Sequence, residues 1–462
     1  MTFLAALLQI KSICTIPNFF YFIKFMLVFL RKNIIHLLVA IVMLAAPARA
    51  QAQEGRLIVE QVKILGLRKT NEQVVQRYLS FRAGDVLTPE LIEQNQQTLQ
   101  ATNFFKGVSF RSEPGSGRGK VIVVCEVNER QWPTFEFAGG YSELDGWYFS
   151  PLGVRYDNLF GTGHRLGLRL ILGDRVAGAN LRFFQPNIFN RPVNFQFDAD
   201  VTGRQLIHYF DTRASRQNIA AAGLRLALSG SRGLGKYLSG GLQFSETEPD
   251  SFATFVHKKD TLYAFPEIIA KDLGRKRFRS AWLRLQADTR DNALFPAKGI
   301  WGALSVEAVG GEAKFNRTVF DGRVYQKLGI GVLAWRLKLA KTSEAAPFYE
   351  RFYLGGVNSL RSFDERRLTP VGYGTKLSLS NLEYRIPLEW DKQGKPRFIG
   401  VLFFDAGKIN GLKEIIGDDV VKSLGFGVRV KVPVLGWLRM DFAYPEKHPD
   451  DFHFYLTLGH LF

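Results

Sequence analysis

The sequence predicts an all-β transmembrane barrel of about 16 antiparallel strands, preceded by a small α+β domain. Strand-like segments of about ten residues, separated by turns, recur from residue 132 to the C-terminus, as a barrel requires. Glycine and phenylalanine are abundant, with 44 and 39 residues, which suits barrel strands and their aromatic girdles. The final segment alternates strictly and ends on phenylalanine.

Residues 1–50 read as a signal peptide. A basic pair precedes the apolar run Ile34–Ala46, and Ala48–Ala50 supplies the small-residue pattern of a cleavage site. Met26 is a second candidate for the translation start, because residues 1–25 are unusual for a leader. A retained membrane anchor is the alternative interpretation of this segment.

The charge balance is strongly basic. Cleavage after residue 50 would remove five basic and no acidic residues, so the formal charge of +18 would fall to +13. Lysine and arginine are spread over alternating strands without a cluster, which argues against nucleic-acid binding. Cleavage would also remove Cys14 and leave Cys125 alone, so no intrachain disulfide is expected.

The segment 56–130 has the pattern of a small β-α-α-β-β domain. Its apolar residues first alternate as in a strand, then recur at helical spacing, and finally alternate again. A turn that contains proline separates the last two strands. The predicted elements are a strand over Leu57–Leu67, helices over Asn71–Leu79 and from Thr88 to about Ala101, and strands over Phe105–Ser112 and Lys120–Glu129.

Several positions in this segment make it similar to a POTRA domain, the periplasmic module of outer-membrane insertases. They are Gly66, Thr70, Gly84-Asp85, Leu87-Thr88, Phe104-Phe105, Val108 and Val127–Arg130. The resemblance implies that this domain binds extended polypeptides by adding a strand to its sheet edge. Cys125 lies in the last strand, where a packed thiol is expected.

The barrel is predicted over residues 132–462. In its last strand the apolar residues from Phe452 to Phe462 share one face. This alternation, with Phe462 at the terminus, resembles the recognition signal of outer-membrane barrels, although His460 stands where an aromatic residue is usual. Phe295–Gly299 is predicted to be a short periplasmic turn between two strands.

A loop near residues 352–370 resembles the conserved loop of the BamA/TamA surface-antigen family, which folds into the barrel lumen. The pattern runs from Gly355-Gly356 to Arg361 and Phe363. Leu360 and Ser362 replace the family's valine and glycine, so a different turn at the tip is expected.

Two strands supply partners for this loop. Phe403, Asp405 and Gly407 share one face of a strand in a Phe-x-Asp-x-Gly pattern, and Glu383 lies on a polar face of another strand with Asn381 and Arg385. Lipid excludes these charges, so both faces are expected to point inward. We predict that Arg361 pairs with Asp405 and Glu383 and locks the loop in the lumen.

No catalytic motif is evident, and the histidines lack metal-ligand spacing, so neither an enzyme nor a cofactor is expected. The resemblance implies an outer-membrane assembly factor that inserts barrel or passenger polypeptides at the seam between its first and last strands. Lipid, unfolded outer-membrane or secreted polypeptides, and periplasmic or lipoprotein partners are the expected contacts. A polypeptide-translocating channel of the two-partner secretion type is the alternative, and a passive porin comes third.

Overall fold

The computed structural model describes residues 57–142, 146–188, 191–210, 213–231, 235–256, 261–262, 264–293, 295–390, 396–411, 420–432, 436–447 and 451–458. The predicted signal peptide, Met26, His460 and Phe462 lie outside these residues. Val59–Phe462 forms one compact unit.

The N-terminal domain is a four-stranded sheet covered by two helices. Its sheet order is β2-β1-β4-β3, so β3 is an edge strand. The two-residue strand β2 was not predicted, because so short a segment has no detectable periodicity. The elements are β1 (Leu57–Leu65), α1 (Glu72–Tyr78), β2 (Val86–Leu87), α2 (Pro89–Ala101), β3 (Phe105–Pro114) and β4 (Lys120–Glu129).

Local capping explains where the helices begin. The Asn71 side chain accepts a hydrogen bond from the Gln73 amide before α1, and the Thr88 hydroxyl accepts one from the Leu91 amide before α2. The apolar faces of the helices pack on the sheet, where Cys125 is fully buried. Burial raises the pKa of the Cys125 thiol to about 12, as expected for a packed side chain.

Sixteen strands build the wall of a closed barrel in which the last strand, β22, neighbours the first, β5. Two further short strands, β12 (Ala253–Phe255) and β13 (Thr261–Leu262), form a hairpin beside it, and β11 pairs directly with β14. The wall strands are β5 (Thr134–Ser142), β6 (Gly146–Leu159), β7 (His164–Gly173), β8 (Val176–Gln185), β9 (Val193–Phe210), β10 (Arg213–Ser231), β11 (Lys236–Pro249), β14 (Lys276–Asp288), β15 (Gly299–Gly311), β16 (Phe315–Leu328), β17 (Gly331–Thr342), β18 (Lys376–Trp390), β19 (Pro396–Ile409), β20 (Val421–Val432), β21 (Gly436–Pro445) and β22 (His453–Leu458).

Side chains alternate between the two faces of this wall. On β14, Leu283 and Leu285 are exposed on the outside, and Arg284 lies on the opposite face. On β22, Phe454 and Leu456 are exposed and Thr457 is buried, as the alternation of the last strand predicts. A short helix, α3 (Glu267–Ala270), precedes β14.

None of the helices among the described residues is long and apolar enough to cross a membrane.

The β6–β7 turn lies against the N-terminal domain, and we call this end of the barrel the proximal end. The strands run antiparallel, so the connection between β14 and β15, which contains the predicted turn Phe295–Gly299, is also proximal. The long connection between β17 and β18 lies at the opposite, distal end.

Candidate functional site

The β17–β18 connection, residues 343–375, packs inside the barrel against strands β18 to β22. A 3₁₀ turn over Phe348–Glu350 begins it, and a backbone bridge between Phe352 and Gly374 closes its base. Gly355 adopts φ +105°, and a Cβ there would lie 2.6 Å from the Asp364 carbonyl oxygen, so the turn requires glycine. The loop is therefore an ordered part of the lumen.

The tip of this loop turns through a residue at positive φ. Ser362 has φ +77°, a left-handed conformation that glycine adopts at lower cost. The amide of Gly356 donates to the carbonyl of Phe363 at 3.0 Å, which closes the tip. Ser362 therefore holds this left-handed turn at a cost of about 1 kcal/mol.

Arg361 is fully buried at the tip and faces the two predicted carboxylates. Its Nε lies 2.6 Å from Asp405 Oδ2 and its Nη2 lies 2.7 Å from Asp405 Oδ1, a bidentate pair. Its Nη1 donates to Glu383 Oε1 at 2.9 Å. The guanidinium carbon also lies 3.5 Å from the ring centre of Phe403.

The remaining predicted glycine, Gly407, and Phe363 serve the packing of the same loop. A Cβ at Gly407 would lie within 2.9 Å of the Leu354 and Leu360 side chains, so glycine leaves room for the loop's apolar residues. Phe363 packs beside this apolar cluster, and its carbonyl accepts a hydrogen bond from the Tyr455 hydroxyl at 2.9 Å. The loop is thereby bonded to the last strand.

Asp441 on β21 is a third carboxylate that sequence reasoning missed. Its Oδ2 lies 3.5 Å from Arg361 Nη1. It accepts hydrogen bonds from Arg439 Nε at 2.5 Å and from Arg429 Nη1 at 2.6 Å. Arg439 and Asp441 are two residues apart on one strand, so they share a face that lipid would exclude. This pattern could have identified both as lumen residues.

These residues form what we call the arginine cluster. Its members are at most 2% exposed, and it holds four guanidinium groups and three carboxylates: Arg361, Arg385, Arg429, Arg439, Glu383, Asp405 and Asp441. Buried charges of this kind depend on one another, because removing one partner leaves an uncompensated charge. The arginine cluster is therefore suited to holding the loop against the barrel wall. In the described part of the chain, no group of residues has the geometry of a metal site.

A second contact joins the N-terminal domain to the β6–β7 turn. Asn158 Nδ2 donates to Thr70 Oγ1 at 2.8 Å, and the Asn71 amide donates to the Gly161 carbonyl at 2.9 Å. A Cβ at Gly161 would lie 1.8 Å from the Lys69 carbonyl oxygen. The two backbones therefore approach as closely as glycine permits.

Glu129 at the end of β4 holds the domain's side of this contact. Its carboxylate accepts hydrogen bonds from the amides of Arg68, Lys69 and Thr70 at 2.8–3.1 Å. Partial burial raises the pKa of Glu129, but these hydrogen bonds, those from Thr70 first, outweigh it and keep the pKa below its usual range. We call the contact of residues 68–71 with the β6–β7 turn the docking contact.

Comparison with known proteins agrees with both parts of the fold. The Omp85 superfamily domain matches residues 158–462, and the POTRA model, a surface antigen variable number repeat, matches residues 57–130. The outer membrane protein assembly factor BamA of Nitratidesulfovibrio vulgaris is 25% identical over 88% of this chain and 52% of its own length. BamA of Neisseria meningitidis serogroup B is 24% identical over 86% of this chain and 56% of its own length.

The barrel has the same fold as a solved relative. BamA from Haemophilus ducreyi lacking POTRA domains 1–3 superposes with a TM-score of 0.68 at 18% identity, covering 87% of this chain and 83% of that one. The chain spans about half the length of the curated relatives it matches. It belongs to the Omp85 superfamily, with its barrel in the outer membrane and its POTRA domain in the periplasm.

Proposed function

We propose that this protein is an outer-membrane assembly factor that binds unfolded barrel or passenger polypeptides and aids their insertion without covalent chemistry. Two relatives carry the name outer membrane protein assembly factor, which supports this class of function. Periplasmic or lipoprotein partners belong to the same proposal.

The docking contact is the observation that carries the proposal. It places the POTRA domain against the β6–β7 turn, and β6 is the neighbour of the seam strand β5. A polypeptide paired with the edge strand β3 would be held beside the same periplasmic end of the barrel. Backbone pairing with β3 would be tolerant of substrate sequence, as an assembly factor requires.

The pairing of strands next to the seam is irregular. The β5–β6 register shifts between Glu136 and Ala138, and the β6–β7 register shifts twice. The ladders from β7 to β11 are continuous over their paired residues. Bulges interrupt a ladder, so we propose that β5 and β6 bend away from the wall when the seam with β22 opens. The β18–β19 ladder also shifts between Pro387 and Trp390, but there the loop packs against both strands. An incoming strand would then satisfy the opened edge, which is costly in lipid until it is paired.

The arginine cluster would keep the strands on the β22 side of the seam rigid. It holds the loop on β18 to β21, and the bond between Tyr455 and Phe363 extends that hold to β22. We therefore propose that β5 and β6 move during insertion and that β18 to β22 stay with the loop.

Closing the seam by disulfides tests the mechanism. Cysteine pairs between Thr134–Ser142 and His453–Leu458 are scanned with the buried Cys125 left in place, and those that crosslink are kept. We expect oxidation to stop assembly of a client barrel and reduction to restore it. Assembly that continues at full rate after closure would refute lateral opening. Normal assembly together with blocked export of a passenger would favour the two-partner channel.

The docking contact is tested by a pair of glycine variants. Gly161→Ala places a methyl group against Lys69, whereas Gly84→Ala, at φ +97°, meets nothing within 4 Å. Both variants carry the strain of a side chain at positive φ. We expect only Gly161→Ala to slow client assembly several-fold at unchanged barrel stability. Equal loss in both variants would mean that backbone strain alone is responsible.

A further inference from the structure

A groove of about 840 Å³ runs along the outer, lipid-facing side of the barrel across β7 to β14. Small residues form its floor, and larger apolar side chains form its rims. The floor residues are Ala179, Ala199 and Ala222, and the rims include Leu181, Leu224 and Phe244. Its size falls in the range of small-molecule sites, and its lining suits acyl chains.

Arginines border this groove near the distal end of β14. Arg277 and Arg279 line the groove on the exposed face of the strand, with Arg275 two residues beyond them. Since the POTRA domain lies in the periplasm, the distal end of the barrel faces the outer leaflet. The groove and these arginines therefore meet at the level where lipid headgroups begin.

Most of these charges are already paired with protein carboxylates. Arg277 Nε lies 2.7 Å from Glu246 Oε2, and Arg275 Nη2 lies 2.8 Å from Glu248 Oε2. Glu312 accepts a hydrogen bond from the amide of Arg277. Among the residues that the structure describes, Arg279 forms no hydrogen bond or ion pair.

Arg279 thus presents an unpaired guanidinium to the membrane. It pairs in register with Phe244 on β11 and with Gly310 on β15, so the residues directly opposite it supply no anion. The diagonal carboxylates, Glu246 and Glu312, are already engaged by Arg277. A guanidinium in this setting is stabilised by a phosphate, which it binds in a bidentate manner.

We propose that this groove and Arg279 form a binding site for one phosphorylated, multiply acylated glycolipid of the outer leaflet. The acyl chains would lie on the alanine floor, and a phosphate would pair with Arg279. Arg275 and Arg277, which lie farther toward the distal end, would border the lipid headgroup. The site lies on the outer face of the wall, outside the lumen that holds the loop.

The test uses the purified full chain in detergent and native mass spectrometry with diphosphoryl hexa-acyl lipid A. We expect Arg279→Gln to weaken binding about tenfold or more, the scale of one lost charge-assisted hydrogen bond. Ala222→Phe, which fills the floor and keeps the charge, should weaken it as well. Lys341→Gln, which removes an exposed cation from the same outer face of β17, should leave binding unchanged.

Three results would overturn the proposal. If dephosphorylated lipid A binds as tightly as the diphosphoryl form, Arg279 does not bind a phosphate. Phosphatidylglycerol binding with equal affinity would exclude a glycolipid site. Equal losses in Arg279→Gln and Lys341→Gln would show general charge attraction only. Unchanged heat stability of each variant on electrophoresis confirms that the barrel is folded.

Discussion

The two sides of the barrel lumen use the same ion pair in opposite surroundings. On the loop-covered side, Arg361 and Asp405 lie 2.6 Å apart, and both side chains are 0% exposed. On the open side, Arg182 and Asp198 lie 2.5 Å apart, but the Arg182 side chain is 58% exposed. The distances are alike, so the difference in solvent access decides what each pair contributes. A buried pair fixes a structure because neither partner tolerates loss of the other, whereas an exposed pair is dispensable.

The strongest test of this contrast removes one arginine from each side. Arg361→Gln leaves buried carboxylates uncompensated and should cost about 3–5 kcal/mol. Arg182→Gln should cost about 1 kcal/mol or less, because Arg182 is largely exposed and Asp198 keeps its hydrogen bond from Gln196 Nε2. The measurement is the temperature at which the folded barrel loses its fast mobility on electrophoresis. Similar costs for the two variants would contradict the contrast.

Asp441, on the loop-covered side, is expected to contribute less to barrel stability than Arg361 does. Asp441→Asn removes the acceptor shared by Arg429 and Arg439, but Arg361 keeps both of its close carboxylates. We expect a smaller loss of about 2–3 kcal/mol, the scale of hydrogen bonds to a charged group. Trypsin cleavage after Arg366 and Arg367 should become faster as the loop loosens. Glu446→Gln, at an exposed pair with Lys422, is the control and should change neither quantity.

The smallest effect is expected at Glu129 beside the docking contact, because this carboxylate is only partly buried. The pKa of Glu129 is lowered in the folded domain, so its stabilising effect is present above the ordinary carboxyl pKa. It is lost as the pH falls through the lowered pKa. Amide hydrogen exchange at Arg68, Lys69 and Thr70, compared between wild type and Glu129→Gln, should differ at pH 7 and converge in acid. A constant difference at every pH would show that the Glu129 charge is irrelevant.

Much of the wall was predictable because strand alternation is a local property. The sixteen wall strands and the exposed face of β22 follow from period-two patterns that neighbouring residues determine. The pattern was least regular between residues 205 and 280, where β9 to β11 continue into the hairpin of β12 and β13. There the partners of a strand change along its length, which no local pattern records.

The candidate site also contains residues that a local pattern predicts and one that depends on the folded barrel. The inward positions of Glu383 and Asp405 follow from alternation on their own strands, and family resemblance supplied Arg361 as their partner. Asp441 was missed because its approach to Arg361 depends on the curvature that brings β21 round to the loop. Such a contact spans 80 residues of sequence and exists only once β18 to β21 have paired in order.

Cys125 has a practical consequence for every experiment on this chain. It is the only cysteine among the described residues, and its thiol is buried and protonated at neutral pH. Alkylating reagents attack the thiolate, so the native domain should resist modification at this position. Its labelling rate would therefore report opening of the POTRA core during a working cycle. Probes attached at introduced surface cysteines would meet little background from it.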